Sequence, residues 1–114
     1  MYYHIIADIP QCNHQYLMWD TSEYTTFRQM ITNQVGSVSE ILAEKWHVFE
    51  NLAYTGVILL AESHFSIHTW PELGICKFDL FTCGSASPLT PSIELARTLT
   101  GELDVEKYLR IIER

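Results

Sequence analysis

Between Thr55 and Cys83 the chain reads as three strand-like runs in close succession, and this stretch limits the fold more than any other. Thr55–Glu62 is apolar on both faces, as expected of a strand covered on both sides, and predicts a central strand. In the next run His64, Ser66, His68 and Trp70 alternate with Phe65, Ile67 and Thr69. Pro71 and Gly74 then punctuate the chain before Ile75–Cys83, so these segments read as paired antiparallel strands.

The flanking segments supply further strands and two helices. Tyr2–Ala7 is an aromatic and β-branched run that stops short of Pro10, and Ile41–Phe49 is again strand-like. Asp20, followed by Glu23, reads as a capping box. Tyr24, Phe27, Met30, Ile31 and Val35 then recur at helical spacing up to Gly36. Thr90 before Pro91 reads as an N-cap and first helical position for a short second helix, with Ile93, Ala96 and Leu99 as its stripe and Gly101 as its end. Val105–Ile112 fits a closing strand, although its charges also permit a helix. No repeat or Gly/Ser linker divides residues 1–114. The expected fold is therefore one α+β domain, a two-layer sandwich with two helices on one face of an antiparallel sheet.

Composition removes several classes of function. A net charge of -7 with only seven Lys and Arg disfavours a nucleic-acid partner and suits a cationic small molecule better. The longest fully apolar stretch, Val57–Ala61, is far short of the roughly 20 residues that span a bilayer. No charged-then-apolar leader is recognisable, so no membrane association and a cytoplasmic location are expected. The three cysteines, Cys12, Cys76 and Cys83, form no CxxC pair. They support neither a disulfide framework nor a zinc site, and no metal is expected. In a chain of 114 residues the core is small enough that self-association would add stability.

The segment Glu62-Ser63-His64-Phe65-Ser66-Ile67-His68-Thr69-Trp70-Pro71-Glu72 carries an unusual polar face, with Glu62, His64, Ser66, His68 and Trp70 on one side. On alternation alone, that face also suits an ordinary solvent-facing sheet. Together with Phe81-Thr82-Cys83-Gly84, however, the segment closely resembles bacterial and archaeal S-adenosylmethionine decarboxylases, from Glu62 through Gly84.

The resemblance implies a proenzyme that cuts itself between Glu62 and Ser63, giving residues 1–62 and 63–114. The Ser63 hydroxyl would attack the Glu62 carbonyl, and elimination from the resulting ester would leave a pyruvoyl group where Ser63 stood. His68 resembles the processing base. Thr55 stands where relatives usually carry an assisting serine; its β-branched side chain is stiffer about χ1, which predicts slower processing. The pyruvoyl ketone would condense with the amine of S-adenosylmethionine and act as an electron sink during loss of carbon dioxide. The product would be the aminopropyl donor for spermidine synthesis.

By the same resemblance Cys83 would return a proton to the substrate carbon, Phe49 would stack on adenine, and Glu72 would accept the ribose hydroxyls. Trp70 would add a second flat wall, although a tryptophan is as much at home in a core. The buried-thiol alternative stays open for Cys83 and is preferred for Cys12 and Cys76. The resemblance further implies a homodimer with shared sites, in which Ser63 and Cys83 of one chain face Phe49, Thr55, His68 and Glu72 of its partner. Two other readings stay open. One is an arginine or ornithine decarboxylase on the same scaffold. The other is an unprocessed homologue with a regulatory binding role, kept by Thr55 and by Tyr2-Tyr3-His4 where relatives tend to carry Gly-x-His.

Overall fold

Among the described residues, six strands form one antiparallel sheet, and two helices pack on a single face of it. The computed structural model describes residues 1–84 and 86–114. The elements are β1 (Tyr2–Ile9), α1 (Ser22–Gly36), β2 (Ile41–Val48), β3 (Tyr54–Leu60), β4 (His64–Trp70), β5 (Ile75–Cys83), α2 (Leu89–Thr100) and β6 (Leu109–Glu113). Their order across the sheet is β2-β3-β4-β5-β1-β6. The expected α+β sandwich is therefore present. β4 and β5 run over the residues that alternation assigned to them.

Burial explains why the helices take one face. Tyr24, Phe27, Ile31 and Val35 of α1 and Leu95, Ala96 and Leu99 of α2 meet Ile58, Phe65, Ile67, Phe78 and Leu80 from alternate strand positions in one apolar core. The buried Thr69 hydroxyl donates to the Leu17 carbonyl at 2.9 Å and accepts from the Tyr54 amide at 3.0 Å. With Thr69 tied inward, its neighbours His68 and Trp70 are turned to the other face, because side chains alternate along a strand.

Several local expectations need correction. Thr21, not Asp20, caps α1, its hydroxyl accepting from the Tyr24 amide at 2.9 Å. Glu23 accepts instead from the Ser22 hydroxyl, so no capping box forms. α2 starts at Leu89 after Pro88, with Thr90 already helical. Pro91 is accommodated there because first-turn amides lack intrahelical acceptors. The inward stripe of α2 is Leu95, Ala96 and Leu99, with Ile93 only partly buried. Residues 106–108 form a short 3-10 turn before the last strand. β3 is covered on one face only: Val57 and Leu59 are 47% and 51% exposed. It lies second from the sheet edge, hydrogen-bonded to β2 and β4.

Gly56 shows how tightly the covered face is built. A Cβ added there would sit 2.3 Å from the Trp46 ring. That indole cannot easily yield: its Nε1 donates to Glu44 at 2.9 Å, and the Arg28 guanidinium lies over its ring at 5.3 Å. Gly56→Ala is expected to destabilise the fold by about 1–3 kcal/mol, the usual cost of overpacking, as measured by denaturant unfolding.

Candidate active site

The Glu62–Ser63 bond sits at the turn between β3 and β4. The Leu60 amide donates to the Ser63 carbonyl at 3.0 Å and the Ala61 amide to the Glu40 carbonyl at 3.0 Å, so Ala61 and Glu62 form the tip. Glu62 is exposed, whereas Ser63 is only 7% exposed. The Ser63 hydroxyl oxygen accepts from the Cys83 amide at 3.3 Å. The last residues of β5 thus lie beside the turn, as the pairing of His64 with Phe81 requires. Desolvation, then a hydrogen bond to the Glu62 carboxylate and that group's negative charge, raise the pKa of the Cys83 thiol. An open hollow lined by Tyr2, Glu62, Ser63, His64, Phe81 and Arg114 adjoins this end.

A second group collects at the opposite end of β3 and β4. Thr55 and His68 are direct cross-strand partners, with Thr55 Oγ1 and His68 Nδ1 at 3.0 Å. The hydroxyl expected at position 55 is therefore in reach of the imidazole. Phe49, Thr55, His68, Trp70 and Glu72 line one cleft of about 340 Å³. Phe49 is placed by the β2–β3 connection, where its amide donates to the Ala53 carbonyl at 2.9 Å and its carbonyl accepts from Leu52 at 2.9 Å. Leu52 adopts a left-handed conformation, φ 68°, which a non-glycine residue takes only when its surroundings impose it. Its carbonyl accepts from the Trp19 amide at 2.9 Å.

The two groups do not meet within one chain. Ser63 and His68 are five residues apart along an extended strand, roughly 16 Å at the usual rise. Phe49, Thr55, His68, Trp70 and Glu72 are brought together, as are Glu62, Ser63 and Cys83. Between the two groups lies the sheet face opposite the helices, including the exposed Val57 and Leu59. His64 and Ser66 also lie on this open face.

Sequence reasoning missed Asn51. Asn51 Nδ2 donates to Glu72 Oε2 at 3.0 Å and so orients that carboxylate. Nothing in the sequence marks it, because its partner lies in a different hairpin. Thr82 is fully buried, and its hydroxyl has no hydrogen-bond partner among the described residues. Cys12 and Cys76 are buried in the core, and desolvation pushes the Cys12 thiol up to about 12, which keeps it protonated and unreactive.

These features define a two-layer α+β domain with a buried serine beside a cysteine at one end of an open sheet face and a hydroxyl–imidazole pair at the other. Residues 3–109 match the family described as S-adenosylmethionine decarboxylase. The chain belongs to that family. It is 40% identical over 81 residues to the S-adenosylmethionine decarboxylase proenzyme of Clostridium tetani and 42% identical over 82 residues to that of Methanococcus vannielii. Each match covers 71% of this chain but only 62% and 64% of those relatives, so the chain spans less than two thirds of their length. The Prochlorococcus marinus proenzyme is 36% identical over 98 residues, covering 86% of this chain and 76% of that one. A crystal structure of the adenosylmethionine decarboxylase from Aquifex aeolicus superimposes with a TM-score of 0.78 at 26% identity, covering all of this chain and 90% of that one. Among the described residues no helix is long and apolar enough to cross a membrane.

Proposed function

We propose that the chain is a self-processing, pyruvoyl-dependent decarboxylase of S-adenosylmethionine, cut between Glu62 and Ser63 and active as a homodimer with two shared sites. The observation that carries this reading is the division of one constellation between the two ends of a single open sheet face. A two-fold axis that laid one such face on another would bring the Ser63 end of each chain to the Thr55–His68 end of its partner, completing two equivalent sites. Covering Val57 and Leu59 in the same contact would remove apolar surface from water.

In processing, Ser63 Oγ adds to the Glu62 carbonyl carbon, the peptide C–N bond breaks, and an ester with a free Ser63 amine results. Loss of the Ser63 α-proton and of the ester oxygen from Cβ then leaves Glu62 as a carboxylate; hydrolysis of the remaining enamine releases ammonia and leaves the pyruvoyl group. His68 of the partner is the base for the α-proton, and Thr55 holds its imidazole through Nδ1. Ser63 fits this role because it is buried at the turn with its hydroxyl fixed by the Cys83 amide. Once formed, the pyruvoyl group supplies the electron sink for decarboxylation.

The cleft residues bind substrate: Phe49 and Trp70 offer flat faces to adenine, and Glu72, held by Asn51, accepts the ribose hydroxyls. Cys83 supplies the proton to the substrate carbon. The relatives' names favour S-adenosylmethionine over arginine or ornithine. Release of carbon dioxide from each carboxyl-labelled compound tests this. The expected result is release from S-adenosylmethionine alone, and turnover of arginine or ornithine in its place would overturn the substrate assignment.

A further inference from the structure

We propose that His4, His64 and Asp79 form a binding site for one first-row divalent transition-metal ion of the zinc class, on the open face of the sheet. The three residues come from β1, β4 and β5, which lie side by side. His4 and His64 both pair with Phe81, from opposite sides, and Asp79 lies two residues back along the same face of β5. The topology thus sets two imidazoles to either side of one carboxylate.

The donor atoms converge. His4 Nε2 lies 2.7 Å and His64 Nε2 3.6 Å from the same oxygen, Asp79 Oδ2, and all three donor atoms lie within 4.8 Å of one another. Tetrahedral zinc at its usual bond lengths of about 2.0–2.1 Å would space its ligand atoms about 3.3 Å apart, between those two separations. The hydrogen bond from one imidazole to Oδ2 leaves His64 Nε2 beyond hydrogen-bond reach of that oxygen, whereas an ion would engage all three.

The surroundings are those of a ligand set already oriented. The Ser66 hydroxyl donates to the other carboxylate oxygen, Oδ1, which leaves Oδ2 directed at the imidazoles. Such outer hydrogen bonds fix metal-ligating carboxylates. The Phe81 ring braces both imidazoles, stacked on His64 at 5.6 Å and edge-on to His4 at 5.9 Å. The side chains of His4, Asp79 and His64 are 19%, 24% and 46% exposed in the single chain, so an ion can reach them before a second chain is laid on the face. Two imidazoles and one carboxylate suit zinc, cobalt, nickel or copper better than magnesium or calcium, which favour all-oxygen sites. The net charge of -7 favours any cation. Sequence spacing gives no sign of this set, because its members are brought together only by strand pairing.

The test is equilibrium dialysis of the tag-free full chain against zinc ion, with the metal counted by mass spectrometry, beside a cobalt titration followed by visible absorption. One ion per chain is expected. His64→Gln and Asp79→Asn should each weaken binding at least about tenfold, and Ser66→Ala, which frees the carboxylate, by roughly tenfold. His64 is half exposed, so its replacement leaves folding intact, which circular dichroism verifies. Cys83→Ala should bind as the parent chain does. Absence of saturable binding, binding that survives His64→Gln and Asp79→Asn, or binding lost in Cys83→Ala would each overturn the site.

Discussion

Chains carrying Ser63→Ala or His68→Ala are expected to stay whole when each is expressed alone, and co-expression is expected to restore cleavage of the His68→Ala chain. The reason is distance. Ser63 and His68 of one protomer are roughly 16 Å apart along β4, too far for an imidazole to take the Ser63 α-proton without help from a second chain. In a mixed dimer, the intact Ser63 of the His68→Ala chain meets the intact His68 of the Ser63→Ala chain, while the other site carries both losses. With random pairing of equal amounts, roughly half of the His68→Ala chains should be cut. Intact mass spectrometry reads this directly, as fragments 1–62 and 63–114. If His68→Ala cuts itself alone, His68 is not the base. If co-expression restores nothing, the sites are not shared.

Cys83→Ala is expected to cleave normally between Glu62 and Ser63 yet to lose decarboxylation by about 10²–10⁴-fold, the usual worth of a positioned acid or base. Processing draws on the Cys83 backbone amide, which donates to the Ser63 hydroxyl and survives the substitution. Turnover draws on the thiol. In the intact chain, desolvation and the neighbouring Glu62 raise the thiol's pKa and so favour the protonated form that a donor needs. Without it, the electron pair released with carbon dioxide takes its proton elsewhere, and activity should decay within a few turnovers. Release of labelled carbon dioxide, with the mass of the 63–114 fragment recorded afterwards, measures both parts. Full activity in Cys83→Ala would remove the thiol from the reaction; an uncut chain would mean that the side chain serves processing as well.

The two experiments test separate levels of the same site. Complementation depends on how chains assemble, whereas the Cys83 result depends on chemistry at one end of the sheet. A chain that complements but gives no decarboxylation of S-adenosylmethionine would keep the dimer and shift the substrate. A chain that never cleaves would leave the family fold serving as a binding partner instead.

The sequence by itself determined most of the elements and the inward faces of α1 and β4, because those follow from short-range periodicity. Phe65, Ile67 and Thr69 alternate with His64, Ser66 and His68, and a pleated strand has no other way to divide them. Tyr24, Phe27, Ile31 and Val35 likewise leave α1 one apolar stripe. The motif from Glu62 to Gly84 also singled out Ser63, His68, Trp70, Glu72 and Cys83 among the residues proposed to act, since a run of fixed order survives reading in one dimension.

Tertiary structure alone decided the rest. Which residue caps a helix turned on local geometry that Asp20 and Thr21 could equally have supplied, and Thr21 reached the Tyr24 amide. β3 looked like a strand covered twice, yet Val57 and Leu59 on its second face are exposed, because apolar content alone does not say whether the fold covers a face. Asn51 reaches Glu72, and His4 reaches Asp79, across connections that no periodicity records. The separation of Ser63 from His68 follows from the extended β4, which carries the chain from one to the other. Hydrogen-bonded register converts sequence distance into spatial distance, and it exists only in the folded sheet.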